Sequence, residues 1–112
     1  MATLDTYSQY IQTLLTKYGE QAKAADATVE TQLVFDTMHH HYQLLEIGWA
    51  EHERIYNCIL HLDIKNNKIW IQRNTTDVRI AEELVEMGVP KSDIVLGLQA
   101  PYKRPYTDYG VA

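Results

Sequence analysis

Apolar residues at Leu4, Tyr7, Ile11, Leu14, Leu15 and Tyr18 recur at the three- and four-residue spacing that lines one face of an α-helix. Thr3 is placed to cap its start and Gly19 to end it in a left-handed conformation. The polar stretch EQAKAAD then puts the boundary between residues 18 and 24. From Thr28 to Arg73 the period shortens to two and Val, Ile, Thr, Tyr and Trp accumulate, which predicts strands at 28–36, 42–49, 54–64 and 68–73. The connections are short, so consecutive strands should pair antiparallel as a meander.

Asn66-Asn67 is the clearest turn, because asparagine tolerates the positive φ of a two-residue hairpin. It sets Ile64 opposite Ile69, Leu62 opposite Ile71 and Leu60 opposite Arg73. A turn at Glu51-His52 sets Trp49 opposite Arg54, Ile47 opposite Tyr56 and Leu45 opposite Cys58. A turn centred on His39 adds Leu33 opposite Leu45 and Phe35 opposite Gln43. All these residues then share one face, the one that helices should cover. Beyond the sheet, Thr75 or Thr76 can cap a second helix carrying Val78, Ile80, Ala81, Leu84, Val85 and Met87, which Gly88 and Pro90 stop. Lys91 to Leu98 reads as a turn and an extended apolar piece, and the tail from Gln99 as an arm without regular structure. The expected fold is α+β: an antiparallel four-stranded β-meander with an N-terminal helix and a second helix packed on one face, and an irregular C-terminal arm.

At 112 residues, one domain spanning 1–112 is the expectation. With 15 Asp and Glu against 10 Lys and Arg, the formal charge is −5, the wrong sign for holding DNA phosphates, so strong direct nucleic-acid binding is not expected. Cys58 is the single cysteine, which excludes an intrachain disulfide or a multi-cysteine zinc site and fits a reducing, cytoplasmic setting. No apolar run suits a membrane span, and the N-terminus lacks a signal pattern.

Candidate chemistry is sparse. Adjacent residues of the run His39-His40-His41 cannot converge on one ion from a tight turn, so it reads as a solvated hairpin tip. Cys58, with Leu60 and Leu62, belongs by strand parity to the core face, away from His61 and Asp63, and so reads as a structural thiol. Asp63-Ile64-Lys65 fits the Asp-x-Lys pattern of magnesium-dependent nucleases, with Glu46 as a second carboxylate. That makes a metal-dependent nuclease using Asp63 and Lys65 the alternative function. Isolated glycines exclude a phosphate loop. No catalytic, cofactor-binding or metal residue is assigned. The other sheet face mixes Leu44, Ile55, Ile59 and Trp70 with Tyr42, Glu46, Asn57, His61, Asp63 and Gln72, which suits an interface unless the arm folds over it. The expected interaction residues are Leu44, Ile59 and Trp70, together with Tyr102, Arg104 and Tyr106 of the arm.

The stretch KIWIQRNTTDVRIAEELVEMGVPKSDIVLG, Lys68 to Gly97, resembles the XisI family of fdxN element excision controlling factors. The likeness extends through LLTKY in the first helix, EIGW at Glu46 to Trp49, LHLDI at Leu60 to Ile64, and the closing RPYTDYGVA. The sequence departs from the pattern at Glu51-His52, where Asp-Gly is usual, at Tyr56, where histidine is frequent, and at Leu98-Gln99, in place of Phe-His. The resemblance implies a cytoplasmic cyanobacterial protein that helps control programmed, site-specific DNA excision in heterocyst differentiation. It implies a nuclease-like companion, XisH, and a separate recombinase, with no catalytic residue or cofactor in this chain. The function expected is that of a non-enzymatic regulatory partner protein, bound to an XisH-like protein or to further copies of itself as a homo-oligomer.

Overall fold

The computed structural model describes residues 3–23 and 28–112. Helix α1 runs Thr3–Lys23, past Gly19. Gly19 does not end the helix: its backbone is not in the left-handed region, and it is buried where α1 crosses the sheet against the side chains of Leu44 and Leu33. The end of α1 at Lys23 falls within the expected boundary of 18–24, while the Thr3 side chain, expected as a cap, and residues 24–27 lie outside the described residues.

Strands β1 (Val29–Asp36), β2 (His41–Ala50), β3 (Glu53–Lys65) and β4 (Lys68–Asn74) form the predicted antiparallel meander. A fifth strand, β5 (Ile94–Val95), lies parallel to β4, so the sheet is mixed and five-stranded, in the order β1-β2-β3-β4-β5. Two residues are too few to show a period in sequence. They pair because helix α2 (Ile80–Met87) carries the chain back to the free edge of β4. Helix α2 starts later than Thr75 or Thr76 suggested, since those residues serve the preceding turn. The Asn74 Oδ1 accepts from Thr76 N at 2.9 Å, and Thr76 Oγ1 accepts from Val78 N at 3.1 Å. Gly88 stops α2 as expected, in the left-handed region at φ 116°.

The turns decide the faces. Asn66 and Asn67 (φ 54° and 61°) set Ile64 opposite Ile69 and Leu62 opposite Ile71. The β1–β2 turn is not centred on His39. Asp36 Oδ1 accepts from Met38 N and His39 N, both at 3.0 Å, and closes a turn of residues 37–40 that pairs Leu33 with Leu44 and Phe35 with Tyr42. Two bulges complete the change. On β3, Ile59 is an extra residue, so Leu45 meets Cys58 as predicted while Leu44 meets Leu60. On β4, Gln72 is extra, so Leu60 meets Asn74 rather than Arg73.

The bulge on β3 brings Tyr42 and Leu44 onto the helix-covered face. They pack there with Ile11 and Leu15 of α1, Leu60 and Leu62 of β3, Ile69 and Ile71 of β4, Leu84 of α2 and Ile94 of β5 in one apolar cluster. Tyr42 is buried with its hydroxyl 2.6 Å from Ser8 Oγ, so this buried polar pair between α1 and the sheet is satisfied. Among the described residues no helix is long and apolar enough to cross a membrane.

The C-terminal arm has more order than its composition suggested. Residues Pro101–Tyr106 form a 3-10 helix, and Gly110 bridges back to Val95, its N–H donating to Ile94 O at 2.7 Å. A Cβ at position 110 would lie 2.5 Å from the Ser92 carbonyl, so only glycine fits that approach.

Candidate functional site

The outer face of the sheet, opposite the helices, carries the exposed side chains from which a site could be built. Strand parity and the bulge together place His41, Gln43, Leu45, Ile47 and Trp49 of β2 there, beside Arg54, Tyr56, Cys58, His61, Asp63 and Lys65 of β3.

At the β4 side, Asp63 is the centre of a polar cluster. His41 Nδ1 and His61 Nε2 each lie 2.9 Å from Asp63 Oδ1, while Gln72 Nε2 donates to Asp63 Oδ2 at 3.1 Å. Burial alone would push the carboxyl up, but the hydrogen bonds from His41, Gln72 and His61 outweigh it and hold Asp63 below the usual carboxylate value. The ligating atoms of His41, His61 and Asp63 all lie within 4.8 Å of one another, so these three residues could hold a metal ion. Sequence reasoning missed this set. Continued without a bulge, the Glu51-His52 turn sets His41 opposite Leu62, on the core face. The extra residue Ile59 shifts it by one, opposite Asp63.

The Asp-x-Lys pair does not meet its expected companions. Lys65 places its ammonium 4.4 Å from the centre of the Trp70 ring, and Glu46 lines an open groove of about 470 Å³ on the helix side, with Tyr18, Leu44 and Ile59. Cys58 was expected in the core and is instead on the outer face with His61, because the bulge reverses its parity. It gains no nucleophilic character. Its thiol donates to Leu60 O at 3.5 Å, and burial pushes its pKa up.

The proposed interaction residues divide between the two faces. Leu44 is 1% exposed beneath α1, and Ile59 packs against the same core from the bulge, so neither belongs to an outer patch. Trp70 does point outward, yet it is only 7% exposed because the chain's own arm covers it. The Arg104 guanidinium lies 5.2 Å from the ring centre and is itself held by the carbonyls of Gln99 (3.1 Å) and Gly97 (3.3 Å). Trp70 Nε1 donates to Lys65 O at 3.2 Å, which completes a second, smaller core. Tyr102 and Tyr106 are exposed at the arm's surface. Away from the arm, the outer face stays open. Trp49 (52% exposed, with the Arg54 guanidinium 5.4 Å from its ring centre) and Tyr56 (67%) face solvent beside the half-buried Leu45 and Ile47, with Val34 of β1 at their edge.

The comparisons with known proteins agree with this architecture. The family model described as XisI protein matches residues 1–111. The chain belongs to the XisI family. An XisI-like protein from Anabaena variabilis ATCC 29413, known from a crystal structure, is 56% identical, with a TM-score of 0.93 over 97% of this chain and 99% of that one. The crystal structure of the fdxN element excision controlling factor XisI from the same organism is 34% identical, with a TM-score of 0.88 over 98% of this chain and 99% of that one. None of the curated proteins compared matches the chain. The XisI fold seen here is therefore α+β, with an N-terminal helix packed on an open, mixed sheet.

Proposed function

We propose that this XisI-family chain is a regulatory partner protein without catalysis of its own, acting in the control of programmed, site-specific DNA excision of the fdxN-element kind. Its setting is the cytoplasm of a heterocyst-forming cyanobacterium, and it works through an XisH-like companion. The 34% identical relative is an fdxN element excision controlling factor, which supports the process. A net charge of −5 favours action through another protein over a direct grip on DNA. The observation that carries the reading is the open apolar strip of Leu45, Ile47, Trp49 and Tyr56. A large aromatic patch left facing solvent on a rigid sheet is the usual anchor of a protein contact.

The nuclease reading keeps Asp63, which lies in a cluster able to hold a metal ion, but loses its other two groups: Lys65 is spent on Trp70, and the expected second carboxylate, Glu46, faces the other side. The test uses the purified chain and a purified XisH-like protein. Complex formation should be measurable by calorimetry, and Trp49→Ser with Tyr56→Ser should weaken it by about 2 kcal/mol or more while the fold stays intact. In parallel, the chain alone with Mg²⁺ should leave plasmid DNA uncut. Cleavage that Asp63→Ala abolishes would replace this reading with the nuclease.

A further inference from the structure

We propose that His41, His61 and Asp63 form a binding site for one first-row transition-metal ion of the Zn²⁺ type on the outer face of the sheet. Two imidazoles and one carboxylate are a donor set that such ions favour, whereas Mg²⁺ prefers oxygen ligands alone. The spacing fits. An ion about 2.1 Å from each donor sets neighbouring ligands about 3.0 to 3.4 Å apart. His41 Nδ1 and His61 Nε2 each lie 2.9 Å from the same Asp63 oxygen, so a small outward movement admits the ion.

The support around the ligands has the same character. Gln72 holds the second Asp63 oxygen at 3.1 Å and fixes the plane of the carboxylate, as outer hydrogen bonds do at metal centres. All three ligands stand on paired strands, with His41 directly opposite Asp63. The nearby cations are engaged elsewhere: Lys65 on the Trp70 ring, and Arg73 Nε on Cys58 O at 2.9 Å. His39 and His40 are also occupied, bonded to Asp36 at 2.9 Å and to Tyr42 at 3.0 Å, so the histidine run contributes one ligand rather than three. The cluster is open on the side of His41, whose side chain is 57% exposed, so an ion can enter and keep a water as its remaining ligand.

The test is a titration of tag-free, chelator-treated protein with Zn²⁺, and separately with Co²⁺, whose absorption reports its ligands. One equivalent of Zn²⁺ should bind, unaffected by millimolar Mg²⁺, and should perturb the imidazole NMR signals of His41 and His61. His61→Ala and Asp63→Asn should each weaken binding by about tenfold or more, with unchanged circular dichroism. His39→Ala should bind as the parent does. The site is overturned if the parent protein shows no saturable Zn²⁺ binding, or if binding follows His39 rather than His61. It is likewise overturned if His41 and His61 signals stay in place as Zn²⁺ is added, a readout that needs no variant to fold.

Discussion

Tyr7 shows how one side chain joins distant parts of the chain. It is 6% exposed, and its hydroxyl donates to Asp93 Oδ2 at 2.6 Å, tying α1 to the turn that enters β5. Burial first, then the hydrogen bond and negative charge of Asp93, push its pKa from 10.0 up to about 12. The folded protein thus holds this proton more tightly than the unfolded chain. The resulting stabilisation is complete below pH 10.0 and is lost as pH rises through about 12. Tyr7→Phe should cost about 1.5 to 3 kcal/mol at pH 7, the worth of a hydrogen bond to a charged acceptor. Tyr18 and Tyr42, which burial also raises, remain in the variant, so the difference between the two proteins isolates Tyr7. Urea denaturation at pH 7 and pH 11 should show that difference shrinking at the higher pH. A constant difference would mean that the proton is not held by the Asp93 contact.

At the scale of the element, the β3–β4 hairpin depends on two consecutive residues in the left-handed region, Asn66 at φ 54° and Asn67 at 61°. Asparagine accepts that conformation better than alanine does, since its short polar side chain bonds locally. Asn66→Ala or Asn67→Ala should each destabilise by about 1 kcal/mol, while Asn67→Gly should be neutral or stabilising. Thermal unfolding of the three variants tests this directly. Equal midpoints for alanine and glycine at position 67 would show that the backbone strain is not felt. This hairpin was legible because its turn residues are diagnostic and its first pairs are regular. The β1–β2 hairpin was not, because Asp36 closes its turn through a side chain, in a form that no asparagine or glycine pair announces.

For the whole molecule, the arm decides what the outer face offers. It folds over Trp70 and leaves Trp49 facing solvent, so the chain's two tryptophans report different surroundings. In a Trp49→Phe background, Trp70 fluorescence should be blue-shifted and poorly quenched by acrylamide, and Arg104→Ala should raise that quenching. Trp70→Ala should destabilise the monomer by about 3 to 5 kcal/mol, the cost of emptying a packed aromatic site, rather than only weaken an association. A stable, folded Trp70→Ala monomer would return that residue to the list of interface anchors.

Local chemistry in the sequence determined the helix α1, the four meander strands, the Asn66-Asn67 turn and the Gly88 stop, because period, turn residues and caps act over a few neighbours. Tertiary structure alone decided which faces those strands present. A bulge such as Ile59 carries no mark of its own. It arises from fitting Tyr42 and Leu44 beneath α1, and one extra residue reverses the side of everything beyond it. That single shift buried Leu44, turned Cys58 outward and set His41 against Asp63. The parallel strand β5 and the covering of Trp70 are of the same kind. Both depend on where the chain returns after α2, a position set by packing between residues far apart in sequence.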